Sequence, residues 1–274
     1  MPALYIVATP IGNLEDITLR ALRTLKEVGI IAAEDTRKTR RLLTAYGIKT
    51  PLTSYHEHNK KAKLTRLLNL LQEKDIALVS EAGMPGLSDP GYELIVAAIQ
   101  QGISVVPIPG SSVIVTALVI SGLPANQFIY LGFLPRKKGE RKRLLESIAY
   151  QPRTIIAFES PHRLVTTLGD LIEVLGDRKI AISRELTKIH EEVFRGTISE
   201  AIEHFITPRG EFTLVIEGKA EVKKPELTPE VIEEIRRLHR QGMSAKEAIA
   251  QLSLVTGLSR KELYQAWLKL KGSE

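Results

Sequence analysis

IALVSEAGMPGLSDPGYELIVAAIQQ, residues 76–101, begins with an apolar run over 76–80, passes through a loop dense in Gly, Pro and small polar residues, and ends in a helical pattern over 92–101. A short apolar run, then a turn-rich loop, then a helix is the repeating unit of a parallel sheet covered by helices. The unit recurs on both sides. Upstream, an apolar run over 4–8 precedes the loop ATPIGNL (8–14) and helical spacing over 14–28; a second run over 30–33 precedes a helix over 36–46, and a further helix covers 60–73. Downstream, a strand over 103–108 runs into PIPGSS (107–112) and a helix over 113–120, with Ser111 and Ser112 as helix-start residues. Strands alternating with helices predict an α/β layer on a largely parallel sheet.

A second block begins near Gly122, with strands expected over 128–132, 154–158, 180–184, 192–195 and 212–217 and helices over 141–149, 162–175 and 198–205. Strands here are more often adjacent, which predicts a mixed sheet. After Gly218 the segment KAEVKKPELTPE (219–230) reads as a charged linker, followed by three short helices over 229–241, 245–252 and 260–270, with Gly242 and Gly257 as stops. Across VTGLS (255–259) the spacing resembles a helix-turn-helix, the alternative being a helical cap on the main body. The expected domains are therefore 1–121, 122–220 and 221–274.

Composition narrows the possible functions. Of 274 residues 43% are hydrophobic and 26% charged, as in chains that bury a core. Against 32 Asp and Glu stand 38 Lys and Arg, and a net charge of +6 favours a polyanionic partner. The run RKKGERKR (136–143) alone holds six cations and one acid, a density that repels itself unless solvated or matched by a polyanion. Cysteine is absent, which excludes disulfides, zinc thiolates and thiol catalysis. No charged residue occurs over 94–135, yet Pro107, Pro109, Gly110, Gly122 and Pro124 cut that stretch into pieces well short of the ~20 apolar residues that span a bilayer. No membrane contact is expected, and without a basic leader and cleavage site at the start the expected location is the cytoplasm. His56 and His58 in SYHEHN (54–59) lack a third ligand at a recognisable spacing, so no metal is expected.

Three loops, ATPIGNL, SEAGMPGLSDPG (80–91) and PIPGSS, each follow an expected parallel strand. In open α/β sheets ligands bind beyond the carboxyl ends of the strands, so the three loops should share a cleft. Neither G-x-G-x-x-G nor a phosphate-binding G-x-x-x-x-G-K-[ST] is present. A nucleoside-type ligand without pyrophosphate suits such loops better than a dinucleotide or a nucleoside triphosphate.

The succession TPIGNLEDIT (9–18), AEDTR (33–37), SEAGMPGLSDPG, PIPGSS, FESPHR (158–163) and RGEFTLVIEG (209–218) resembles the tetrapyrrole-methylase superfamily of S-adenosylmethionine enzymes. Within it the chain is similar to the branch that methylates the ribose 2′-oxygen of a cytidine in 16S ribosomal RNA. The likeness covers residues 3–218, and the helical tail is similar to that branch's C-terminal extension. Glu81 and Met84 depart from the S-D-A-G-T-P pattern expected there. The resemblance implies S-adenosylmethionine held between two α/β domains by Pro10, Ile11 and Gly12, by Gly83, Met84 and Leu87, by Ser112 and Val113, and by Phe158, Glu211, Phe212 and Thr213. It also implies a homodimer acting on 16S rRNA of the small ribosomal subunit.

Methyl transfer to a hydroxyl needs orientation and a proton acceptor. Glu159 and His162 stand beside the implied methyl site and Glu81 faces them from the first domain; Glu159 or His162 is the expected acceptor, the alternative being that Glu159 orients a ligand and His162 caps a helix. Arg37, Arg40 and Arg41 share a helix face suited to phosphates, and Lys137, Lys138, Arg141, Lys142 and Arg143 of the basic run are expected to join them. Two rival readings are a superfamily enzyme acting on a small tetrapyrrole or a protein, and a non-enzymatic nucleic-acid binder using the tail.

Overall fold

A computed structural model describes residues 2–219 and 227–271 and divides the chain into two compact units, Met1–Lys219 and Ala220–Glu274. Residues 220–226, most of the expected linker, lie outside the described residues.

The larger unit holds two five-stranded sheets. In the first, β1 (Ala3–Val7), β2 (Ile30–Ala33), β3 (Leu52–Ser54), β4 (Ile76–Val79) and β5 (Ser104–Ile108) run parallel in the order β3-β2-β4-β1-β5. Parallel strands need crossovers, and these are supplied by α1 (Leu19–Glu27), α2 (Thr36–Ala45), α3 (Lys60–Leu70) and α4 (Tyr92–Gln100). Alternation sorts the side chains. Leu4, Ile6, Ile76 and Leu78 meet Leu67 of α3, Leu71 just past its end and Leu94 of α4, whereas Val7, Ala77 and Val79 meet Ala21 and Leu25 of α1 and Leu43 of α2. All four residues of β4 are therefore buried, which explains its unbroken apolar run. The edge strand β3 has only three half-buried residues, too few for a period-2 signal in the sequence.

The chain passes through α5 (Val113–Ile120) to the second sheet: β6 (Phe128–Phe133), β7 (Thr154–Glu159), β8 (Lys179–Arg184), β9 (Glu192–Thr197) and β10 (Phe212–Ile216), in the order β6-β7-β10-β8-β9. Only β6 and β7 pair in parallel; the other pairs are antiparallel, so the sheet is mixed as the sequence implied. One face carries α6 (Lys138–Ser147), α7 (Leu164–Leu175) and α8 (Ile198–His204) over Leu164, Leu168, Leu171 and Ile198. The other face packs Ile156, Ala181 and Val215 against Ile114, Ala117 and Leu118 of α5 and against Ile11 of the first loop. Burying α5 and Ile11 there joins the sheets.

The basic run is not one solvated patch, contrary to expectation. Arg141 is 2% exposed, and its Nε donates to Asp170 Oδ2 at 2.8 Å while Nη1 donates to the carbonyls of Pro135 and Arg136 at 3.0 and 3.2 Å. The helical register turns this one position of α6 toward α7, so Arg141 holds the fold together and is withdrawn as an RNA contact. Lys137, Lys138, Lys142 and Arg143 remain on the surface, with Lys142 paired to Glu173.

In the smaller unit α9 (Pro229–Arg240), α10 (Ala245–Thr256) and α11 (Arg260–Lys271) enclose a core of Ile235, Leu238, Ile249, Leu252, Leu263 and Trp267. Ser244 and Glu247 form a capping box at the start of α10, and Gly257 ends it in the left-handed conformation at φ 70°. Trp267 is thus core, edge-on to His239 at 5.0 Å. Among the described residues no helix is long and apolar enough to cross a membrane.

Candidate cofactor and RNA site

The three loops after β1, β4 and β5 converge. Thr9 and Gly83 exchange both backbone hydrogen bonds at 2.9 Å, and a Cβ built on Gly83 (φ 74°) would lie 3.5 Å from Ile11 Cγ2 and 3.6 Å from the Ser111 carbonyl. Gly83 is needed for its positive φ, and it links first, second and third loops rather than offering its own amide to a ligand. A cleft beyond it is lined by Pro10, Ile11, Gly12, Ser80 and Glu81, by Lys38 and Arg41 of α2, and by Lys188 and Glu211 of the second sheet's loops.

The second sheet closes this cleft through the β8–β9 turn. Thr187 Oγ1 accepts from the Asn13 amide at 3.0 Å, and a Cβ on Gly12 would fall 2.5 Å from that oxygen and 2.8 Å from the Leu186 carbonyl. Glu185 and Thr187 adopt positive φ of 50° and 63°, and a β-branched residue there is held by its surroundings. Glu185 Oε1 accepts from the Glu211 amide at 2.9 Å, and Lys188 Nζ reaches Glu185 at 3.0 Å and Glu211 at 2.9 Å. The second loop also meets the second sheet where Ser88 is hydrogen-bonded to Tyr130, whose ring stands edge-on to Phe158 at 5.3 Å. None of Thr187, Lys188 and Tyr130 was singled out from the sequence; a turn after β8 opposite a glycine-rich loop becomes visible only when β8 and β10 are paired.

On the first sheet's side, AEDTR splits into separate tasks. The Asp35 carboxylate caps α2 by accepting from the amides of Arg37 and Lys38 and pairs with the Arg37 guanidinium, which pulls its pKa down to about 2. Glu34 Oε2 accepts from the Glu81 amide at 3.1 Å, and burial holds the Glu34 carboxyl above the usual range. Asp89 is likewise raised by burial. Lys38 Nζ pairs with the Glu81 carboxylate, which raises the lysine.

Several expected site residues change role. Glu159 is 1% exposed; its carboxylate accepts from the Ser160 amide at 2.7 Å and from Thr167 Oγ1 at 2.7 Å and pairs with Arg163. With its lone pairs engaged and no water access, it is withdrawn as proton acceptor. Arg163 also binds the Leu134 carbonyl at 3.0 Å, so the pair ties the ends of β6 and β7 together. His162 is exposed in the 3-10 turn Pro161–Arg163. Phe212 packs its ring on Phe205 at 5.4 Å, within the α7 and α8 core, so only its backbone reaches the cleft end of β10. Met84 packs at the margin of the first core, which accounts for a side chain without a hydroxyl there. Leu87 and Glu211 are exposed, Ser112 and Val113 half-buried at the start of α5, and Thr213 buried between Phe158 and Ser183 in register. Arg37, Arg40 and Arg41 line one exposed groove of α2. Among the described residues no three potential ligands gather into a metal site; His56 instead meets the Asn59 amide nitrogen at 3.1 Å.

The residues present fit S-adenosylmethionine. Pro10 and Ile11 offer apolar surface, the glycines let backbone approach closely without the amide nest that a pyrophosphate requires, and the Glu81 and Glu211 carboxylates, each paired with a lysine, leave charges of both signs for a ligand that itself carries both.

Comparison with known proteins places this geometry in a family. Residues 3–202 match the family model for tetrapyrrole (corrin/porphyrin) methylases and residues 225–271 the RsmI C-terminal HTH domain. A ribosomal RNA small subunit methyltransferase I of Halalkalibacterium halodurans is 49% identical, covering 96% of this chain and 94% of its own length; that of Synechocystis is 48% identical over 99% of both. The Thermotoga maritima protein of that name is 53% identical, and its whole length aligns with 80% of this chain. Among solved structures, diphthine synthase superposes with a TM-score of 0.64 at 14% identity, covering 78% of this chain and 90% of its own. Uroporphyrin-III C-methyltransferase from Thermus thermophilus gives 0.53 at 22% identity, with 78% and 94% covered. These two show the shared fold. The parallel and mixed sheets, the converging loops and the near full-length relatives together mean that the chain belongs to the tetrapyrrole methylase family, in the group of ribosomal RNA small subunit methyltransferases I.

Proposed function

We propose that this protein is an S-adenosylmethionine-dependent methyltransferase of ribosomal RNA that methylates the ribose 2′-oxygen of a cytidine in 16S rRNA, in the cytoplasm. The observation that carries the reading is the cleft itself: glycine loops without a pyrophosphate motif, lined by the Glu81 and Glu211 carboxylates with their lysine partners, beside an arginine-lined helix. S-adenosylmethionine, when bound, supplies an electrophilic methyl group on a sulfonium that departs as a neutral thioether with both electrons of the C–S bond. Pro10, Ile11, Gly12, Ser112, Val113, Phe158, Glu211 and Thr213 would hold it, with Leu87 at the rim. As the 2′-oxygen forms its new C–O bond, Glu81 takes the hydroxyl proton, and exposed His162 at the end of β7 is the alternative acceptor. Fixing both reactants in line supplies most of the acceleration, up to about 7–11 kcal/mol in well-aligned cases.

RNA would lie along α2 and α6. Neutralising Lys137, Lys138, Lys142 and Arg143 together is expected to weaken RNA binding and to flatten its dependence on salt, because each lost phosphate contact releases fewer counterions, about 0.7–0.9 off the log–log slope. Fluorescence anisotropy across a salt series measures this, and an unchanged slope would remove α6 from the interface. We also propose a homodimer, supported by Val115 and Val119 of α5 and Ile99 of α4, which are 53%, 68% and 60% exposed. Light scattering at the mass of one chain would end that reading.

The decisive experiment transfers isotopic methyl from S-adenosylmethionine to purified small subunits lacking ribose methylation, followed by nucleoside mass spectrometry. Label in 2′-O-methylcytidine at one position is expected. Bound cofactor with no label in RNA would turn attention to a tetrapyrrole or protein substrate.

A further inference from the structure

The geometry points to Glu34 and Lys38 as the positioning residues that set the Glu81 carboxylate in the cleft, one holding its backbone and the other its side chain. The inference rests on the proposed role of Glu81 as proton acceptor and extends it to two residues that the cofactor and RNA assignments leave unused.

Glu81 lies on the loop after β4, and a loop by itself would leave a five-atom side chain free to sample several rotamers. Two restraints remove that freedom, and both come from the six-residue segment AEDTRK (33–38). Glu34 continues β2 beyond its last ladder residue, its own amide donating to the Val79 carbonyl at 3.2 Å. From there its Oε2 accepts the Glu81 amide proton at 3.1 Å, which pins the second residue of the loop to the neighbouring strand. Next, Asp35 caps α2 and so fixes where the helix begins. Lys38, in the first turn, then pairs its ammonium with the Glu81 carboxylate. The helix start, the lysine and the loop form one continuous chain of contacts from β2 to the cleft.

This arrangement gives the extra methylene of Glu81 a purpose. The group's expected aspartate would reach less far toward α2; in this chain the longer side chain meets Lys38, whose Nζ is compact and strongly hydrated and orients a carboxylate as a point charge. The Lys38 side chain is 55% and that of Glu81 41% exposed. At such exposure the pair contributes little to stability, so its main consequence is where the carboxylate points. A misplacement near 1 Å at reacting groups costs on the order of 100-fold in rate.

The test measures kcat and KM at saturating cofactor and small subunits, with cofactor affinity by calorimetry and Tm for every variant. Glu81→Gln, Lys38→Met, Lys38→Arg, Glu34→Ala and Glu34→Gln are compared. Lys38→Met and Glu34→Ala are expected to lower kcat by about 10- to 100-fold, leaving cofactor affinity unchanged. Glu34→Gln should recover most of the loss, because its amide oxygen still accepts the Glu81 N–H, and Lys38→Arg should recover part of it. Should Glu34→Ala fail to fold, the Lys38 pair of variants and Glu34→Gln carry the test. Wild-type kcat in Lys38→Met, or a defect confined to KM for RNA, overturns the positioning role and makes Lys38 a phosphate contact. Wild-type kcat in Glu81→Gln instead overturns the proton-acceptor reading on which it rests.

Discussion

Replacing Asp170 with Ala is expected to destabilise the Met1–Lys219 unit by about 3–5 kcal/mol, a large share of what holds a domain folded. The Asp170 and Arg141 side chains are 4% and 3% exposed. Removing the carboxylate leaves a guanidinium with two carbonyl acceptors, Pro135 and Arg136, and no countercharge. Neither can the guanidinium reach water without unpacking α6 from α7, nor can it shed its proton. For a unit of this size each kcal/mol shifts Tm by about 2–4 °C, so thermal denaturation should show a fall of roughly 6–20 °C. The deficit should be nearly independent of salt, because ions screen a buried charge poorly. Arg141→Met combined with Asp170→Leu should regain most of it, since apolar replacement of a whole buried pair is often neutral or better. A loss below about 1 kcal/mol in Asp170→Ala would mean that water reaches the pair. The result bears on function too: a variant of the basic run that includes Arg141 would lose RNA affinity by unfolding, which is why the RNA-binding test spares that residue.

Arg141 marks the limit of what a linear charge pattern reveals. Six cations in RKKGERKR look alike until the helix fixes which one faces α7, and the partner, Asp170, lies 29 residues on in a segment that reads only as amphipathic helix. The same limit applies to Glu159. FESPHR puts a carboxylate beside a histidine at the end of a strand, and nothing local says that Thr167 and Arg163 bend back to engage it. Where one run carries its own signal the reading succeeds: Ile76–Val79 is apolar throughout because both faces are covered, and Gly83 stands where two loops cross with a positive φ. Phe212 shows the intermediate case. Its place at the start of β10 follows from the motif, but the face its ring occupies depends on pairing with β7 and β8, and that register sends it to the α7 and α8 core.

Substitution of Gly12 by Ala is expected to leave a folded chain whose methyl transfer falls about 100-fold, and the reason lies in the turn opposite it. A methyl at position 12 would stand 2.5 Å from Thr187 Oγ1, 2.6 Å from Lys188 Cγ and 2.8 Å from the Leu186 carbonyl. The lysine carbon can swing aside; the carbonyl belongs to the backbone of a turn with two non-glycine residues at positive φ, and it has little room to relax. Overpacking of this kind costs about 1–3 kcal/mol, too little to unfold the unit. The strain is relieved by pushing the turn away, which breaks the 3.0 Å bond from the Asn13 amide to Thr187 and carries Lys188 and Glu211 out of the cleft. Lost alignment then weakens cofactor affinity together with turnover, unlike the Lys38 and Glu34 variants, which should alter turnover alone. Calorimetry, steady-state kinetics and Tm on the same preparation separate the two cases. Wild-type turnover from Gly12→Ala would show that the turn yields without consequence, and the contact between Gly12 and Thr187 would then be packing rather than the clasp that sets the width of the cleft.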